Sequence, residues 1–139
     1  YHILLKGVNH MPPSPYMIND LKLAVTPMEN GLRFAGRVEF SGIDSPESEK
    51  QFHIIKSGIK KVYPSLRWDD EDTWSGQRPS TSDSLPVLGA SKINKNLFFA
   101  FGSQHVGMTI GPKIGKITSD LIIGRKPNIS LSEFYHDRF

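Results

Sequence analysis

Two runs of alternating apolar and polar residues meet at Asn30-Gly31, and that junction constrains the chain more than any other feature. Asn and Gly both tolerate positive φ, which a tight hairpin turn requires. Strands are therefore expected from Leu21 to Glu29 and from Leu32 to Ser41. In the second, Leu32, Phe34, Gly36, Val38 and Phe40 fall on one face, and Arg33, Ala35, Arg37 and Glu39 on the other. One face is core. The other meets water or a cavity.

The rest of the chain alternates between strand and helix signals. Met11-Pro12-Pro13-Ser14-Pro15 cannot continue a strand. Ser45-Pro46-Glu47 suits a helix start, with Ser45 as cap, Pro46 in the first turn and Glu47 at the positive end. Phe52, Ile55, Ile59 and Val62 recur at helical spacing until Pro64 stops the helix. Trp68 to Gly89 reads as loop with room for a short strand, and a loop of that length is often functional. Asn96 to Phe101 is a continuous apolar run expected to be a buried strand. A second helix is expected over Thr109 to Ile123, with Pro112 in its first turn, followed by an irregular tail from Pro127 to Phe139. The fold class is α+β, an antiparallel sheet flanked by helices.

Composition narrows the function classes. At 139 residues the chain has the length of one ordinary domain, and 37% hydrophobic with 22% charged residues is globular. It contains no cysteine, which excludes disulfides, thiolate metal sites and cysteine nucleophiles. A net charge of +3 without clustered Lys and Arg among aromatics argues against a nucleic-acid partner. Apolar runs such as Leu97 to Phe101 fall far short of the roughly 20 residues that cross a bilayer. Residue 1 is Tyr, and Tyr1-His2-Ile3-Leu4-Leu5 reads as a strand entered in mid-course. The expectation is a piece of a longer protein.

Few local motifs carry chemistry. Gly107, Gly111 and Gly115 are spaced by four, which lets either a neighbouring strand or a flat ligand approach the helix closely. Packing on a strand is the commoner use. A strand, Gly102, a short loop, Gly107 and a helix also present unpaired N–H groups to an anion. Gly111-Pro112-Lys113-Ile114-Gly115-Lys116-Ile117 has the wrong spacing for a P-loop, and no G-x-G-x-x-G occurs. Asn128-Ile129-Ser130 matches a glycosylation sequon, and a chance match is expected. His2, His10, His53, His105 and His136 form no helical pair or carboxylate motif of the metal-binding kind. His105 stands out by its glycine-flanked loop. Arg78, in Trp74-Ser75-Gly76-Gln77-Arg78-Pro79, can grip a carboxylate with both guanidinium edges, and Pro79 restricts its backbone to extended forms. Taken alone, a surface salt bridge is the commoner role.

Several motifs in order carry more than any one of them. Gly76-Gln77-Arg78-Pro79, Thr81, Asp83, Leu85-Pro86-Val87-Leu88-Gly89, Asn96-Leu97-Phe98 and Phe101-Gly102 resemble the C-terminal half of the D-amino-acid oxidase superfamily. The similarity continues through Gly107-Met108-Thr109-Ile110-Gly111-Pro112 and Gly115 to Asp120-Leu121-Ile122 and Gly124. Thr26-Pro27-Met28-Glu29, Gly31-Leu32-Arg33 and Ala35-Gly36 look like its D-amino-acid dehydrogenase branch.

The resemblance implies an FAD-dependent oxidoreductase that oxidises the CH–NH bond of a D-amino acid, or of a glycine- or proline-like amine, to an imine. It implies that residues 1–89 belong to the substrate-binding domain, whose sheet roofs the flavin. Residues 90–139 would return as strand, loop and helix to an FAD-binding domain that this chain lacks. Arg78 matches the arginine that binds the substrate carboxylate. His105 falls where glycine oxidase has a second carboxylate-contacting arginine, and Glu39 is a candidate for holding the substrate amine or for facing solvent. Gly102, Ser103, Gln104, His105, Val106, Gly107, Met108 and Thr109 match the turn and helix start beside the flavin ring; many relatives have Gly-His where this chain has Gly102-Ser103. Negative charge develops there on flavin reduction, and N–H groups with a helix dipole stabilise it.

The implied partners are an amino-acid substrate, the missing FAD domain and, for the parent, contact with a quinone or the inner face of a bacterial membrane from the cytoplasm. The chain alone is expected to be inactive and to lose FAD. It is also expected to expose an apolar patch around the hairpin and last strand and to self-associate through it. The rival reading is a flavin-free binding subunit of a hetero-oligomeric amine dehydrogenase.

Overall fold

A computed structural model describes residues 1–42 and 44–139. They form two compact units, Tyr1–Gln77 and Arg78–Phe139. The architecture is α+β, as the sequence pattern implies.

The first unit is a five-stranded sheet with a helix on one face. Its elements are β1 (His2–Lys6), β2 (Tyr16–Ile18), β3 (Leu23–Met28), β4 (Gly31–Gly36), α1 (Glu49–Val62) and β5 (Asp70–Trp74). The strand order is β2-β3-β4-β1-β5, with every pair antiparallel. Alternation decides the faces: Ile3, Leu5, Leu23, Val25, Leu32 and Phe34 are buried with Phe52, Ile55 and Ile59 of α1. Tyr1 closes one end of this core, its ring edge-on to Phe52 at 5.2 Å.

The hairpin forms one residue earlier than Asn30-Gly31 suggests. Met28 pairs with Gly31, so Glu29-Asn30 make the turn. Gly31 opens β4 at φ 153°, a conformation that favours glycine, and a Cβ there would press on the carbonyl oxygen of Leu5. The strand also ends at Gly36 rather than Ser41. Arg37 adopts φ 66°, its Nε donates to Gln51 Oε1 at 3.1 Å, and the Gly36 N–H makes the last ladder bond to Tyr1 O. Val38 and Phe40 therefore face solvent instead of the core, Phe40 being 95% exposed.

Helix α1 starts four residues beyond Ser45. Ser48 is its cap residue, and the Ser48 N–H is taken by the hydroxyl of Tyr1 at 3.2 Å, while Ser45 closes a separate turn on Gly42. The tertiary contact to Tyr1 outweighs the local capping signal. Helix α1 ends at Val62 before Pro64, and Val62 is itself exposed.

The second unit contains the hairpin β6 (Val87–Ala90) and β7 (Phe98–Phe101), a 3-10 turn (Gln104–Val106), α2 (Gly107–Ile122) and a second 3-10 turn (Ser132–Phe134). Leu88, Ile117 and Leu131 form its buried core. Strand β7 is not buried as its apolar run suggests: Phe98 and Phe99 are half covered, Ala100 and Phe101 exposed. Two strands packed against one helix leave half of such a run without cover. Because the 3-10 turn runs straight into α2, the helix starts at Gly107 and Pro112 falls in its second turn, where Met108 loses its usual N–H partner.

Candidate active-site surface

Antiparallel pairing decides what lies together in the second unit. Val87 pairs with Phe101, so the start of β6 and the end of β7 share one edge of the hairpin. The segment from Arg78 to Pro86 enters at that edge, and Gly102 leaves from it. Gly102 is buried at φ 78°; a Cβ there would lie 3.0 Å from the Thr81 methyl carbon and 3.7 Å from Pro86 Cα. The arginine loop and the glycine turn, far apart in sequence, are thus packed on each other.

The loop is internally braced. The Thr81 hydroxyl donates to Leu85 O at 2.7 Å, the Leu85 N–H donates to Asp83 Oδ1 at 3.0 Å, and the Ser84 N–H donates to Thr81 O at 3.2 Å. Arg78 itself is exposed, and among the described residues no carboxylate pairs with it. The surface salt bridge that a lone arginine usually makes is therefore missing here.

Beyond Gly102, Ser103 and Gln104 begin the 3-10 turn, with Gln104 at φ 47° and its Nε2 buried without an acceptor. His105 and Val106 are exposed, and Val106 leads into Gly107 with no side chain capping α2. Met108 is 96% exposed, and Thr109 is exposed beside it. A Cβ on Gly111 or Gly115 would meet nothing within 4 Å, so the glycine stripe is not used for packing on a strand within this unit. What gathers here is an unsatisfied amide donor, uncapped helix N–H groups and bare apolar surface.

Glu39 belongs to the first unit and lies past the end of β4, so it is not on a strand face as its alternation suggests. Its Oε2 accepts from the Tyr1 hydroxyl at 2.5 Å, which holds the phenol proton and raises the Tyr1 pKa. The helix-free face of that unit carries Arg33, on the polar side of its alternation, together with His2, Thr26, Asp72 and Trp74. Met17, Ala24, Ala35, His2 and Trp74 form one row across the strands, and Thr26, Arg33, Leu4 and Asp72 the next. His2 stacks on Trp74 at 5.0 Å, and its pKa is lowered by burial and then by the charge of Arg33. Arg33 Nε is buried with no partner. Among the described residues, no group of three or more His, Cys, Asp or Glu is placed to hold a metal ion.

The sequence matches the family described as "DAO: FAD dependent oxidoreductase" over residues 1–121. The chain belongs to this family. Its relatives in the DAO family include a "D-amino-acid oxidase" of Bradyrhizobium diazoefficiens, 32% identical over 143 residues that cover 100% of this chain and 34% of the relative. A "D-amino acid dehydrogenase" of Granulibacter bethesdensis is 29% identical over 94% of this chain and 31% of its own length. The DAO chain thus spans about a third of the length of these curated relatives. Glycine oxidase from Geobacillus kaustophilus shares its fold with a TM-score of 0.76 at 21% identity, covering 99% of this chain and 38% of that one.

Proposed function

We propose that this chain is the substrate-binding and C-terminal part of an FAD-dependent enzyme that oxidises the CH–NH bond of a D-amino acid, or of a glycine- or proline-like amine, to an imine. The carrying observation is Arg78: in a chain of this family, an arginine without an ionic partner sits on a loop packed against the Gly102 turn. A carboxylate is the group that a free planar guanidinium binds best, through two parallel hydrogen bonds.

The residues of the second unit suit FAD. Gln104 Nε2 is a buried donor lacking an acceptor, and the first turn of α2 has N–H groups that no side chain caps. Gln104, Gly107, Met108 and Thr109 would hold the acceptor-rich edge of the flavin ring, with the helix dipole favouring negative charge there. When bound, FAD supplies the acceptor for the hydride that leaves the substrate Cα. The work of this chain is positioning: Arg78 fixes the carboxylate, the exposed His105 follows the Gly102 turn that packs on the same loop, and the apolar surface of β7 and α2 excludes water. The substrate loses a hydride from Cα and a proton from nitrogen, which leaves the imine.

Bare apolar groups at Phe40, Phe101, Met108 and Ile122 support a further covering domain, and the chain by itself is expected to retain neither FAD nor activity. The test is to express the complete reading frame that contains this chain and assay dye reduction with a panel of D- and L-amino acids. Bound flavin with turnover of D-amino acids or small cyclic amines supports the proposal. Flavin with no turnover of any amino acid or amine overturns it.

A further inference from the structure

The C-terminal tail lies beyond the residues matched by the family, yet four of its residues in succession are tied down. Tyr135 packs over Gly89, where a Cβ would sit 2.7 Å from the ring. His136 lies against the Phe99 ring at 4.7 Å, and Asp137 pairs with Lys92. Arg138 then reaches the arginine loop, 55 residues away in sequence. Its Nε donates to Asp83 Oδ2 at 2.5 Å and its Nη2 to Asp83 Oδ1 at 3.1 Å and Leu85 O at 2.8 Å. Its Nη1 donates to Phe134 O at 3.1 Å and Tyr135 O at 2.9 Å. All five guanidinium donors are used, and the side chain is only 12% exposed. Phe139 covers the guanidinium plane at 4.4 Å.

The loop that receives this grip has a reason to need it. Ser84 adopts φ 65°, a region sparsely populated by residues other than glycine, and such backbone persists only where its surroundings over-determine it. Asp83 Oδ1 and Leu85 O, which brace the turn internally, are the same atoms that Arg138 holds. Thr81 of that turn packs on Gly102. Hydrogen bonds therefore run from the tail through Asp83 and Leu85 to Thr81, and the Thr81 methyl carries the contact on to Gly102 by packing.

We infer that Arg138 is a positioning residue, and that the tail is a strap that holds the Arg78 loop in the shape that receives a carboxylate. The carboxylate part rests on the function proposed above. Arg138 is too enclosed to touch substrate; it acts through Asp83. A tail that merely completed the core would do so through Leu131, and Arg138 would then be replaceable.

The test uses the full-length flavoprotein with Arg138→Ala, Arg138→Lys, Asp83→Ala and the double alanine variant. Two readouts are taken, amide exchange of residues 80–86 and KM with kcat for a D-amino acid. Expected for Arg138→Ala is at least tenfold faster exchange in that segment with no change in β1, and KM raised at least tenfold with kcat within twofold. Arg138→Lys should restore part of both, and the double variant should be no worse than either single. Unchanged exchange overturns the strap, whatever the activity. Faster exchange with unchanged KM overturns the positioning role. Should Arg138→Ala fail to fold, Arg138→Lys and Asp83→Ala decide by the same readouts. Absence of any amino-acid turnover in the wild-type protein removes the functional reading instead, and the exchange readout still decides the strap.

Discussion

The turn of the first hairpin offers a sharp test, because adjacent residues are expected to respond in opposite ways. Gly31 is held at φ 153°, and a Cβ there would collide with the Leu5 carbonyl of the neighbouring strand. That atom is backbone and lies in the centre of the sheet, with Leu5 and Leu32 paired beside it, so it cannot rotate away. Forcing alanine into such a conformation costs about 1–3 kcal/mol. Crowding in a close-packed region adds about 1–3 kcal/mol more. The expected loss for Gly31→Ala is therefore about 2–6 kcal/mol, a large share of the roughly 5–15 kcal/mol of a small domain. Asn30 has no positive φ in this turn, so Asn30→Ala should change stability by less than about 0.5 kcal/mol. Urea unfolding of the chain, followed by tryptophan fluorescence from Trp68 against the core, reads both. Equal losses for the two variants, or a Gly31→Ala loss below about 0.5 kcal/mol, would refute the register-based reasoning.

Three further outcomes follow from burial and charge. Ile55 is fully buried between α1 and the sheet, so Ile55→Ala should cost about 2–5 kcal/mol in the same assay. Arg138 holds the Asp83 carboxyl well below the usual carboxylate range, so its contribution is present above about pH 4 and is lost as pH falls further. Asp70 and Asp137 are shifted the same way, and Asp83→Asn should remove part, not all, of the loss of thermal stability between pH 5 and pH 3, roughly the carboxylate window. Gly115 lies inside α2, is followed by Lys116, and a Cβ there would meet nothing within 4 Å, so Gly115→Ala should stabilise the chain by about 0.5–1 kcal/mol through helix propensity.

Local pattern reached as far as the forces that act locally. Alternation in 23–36 located β3 and β4 because one face of each must be buried, and the spacing of Phe52, Ile55 and Ile59 located α1 for the same reason. What it missed depends on distant partners. The end of β4 depends on Tyr1 and Gln51, and the start of α1 on the Tyr1 hydroxyl. The exposed state of β7 depends on how few elements cover it. The same division holds for the candidate site. Arg78 and the 102–107 turn were legible as motifs. Their packing through Thr81 and Gly102 arises from the β6–β7 pairing, which no local pattern encodes. Arg138 gave no signal at all, since its partner lies 55 residues away and an arginine in a short irregular tail is ordinary.

The central claim is that Arg78 receives the carboxylate of an amine substrate. Its most direct test compares full-length wild type with Arg78→Ala in dye reduction, using a D-amino acid and the corresponding amine that lacks the carboxylate. For Arg78→Ala, kcat/KM for the amino acid is expected to fall at least a hundredfold, mainly through KM, while the slow rate with the plain amine stays unchanged. Loss of a charge-assisted bidentate pair, about 3 kcal/mol, corresponds to that factor. An amino-acid KM that does not move, or an equal fall for both substrates, would contradict it.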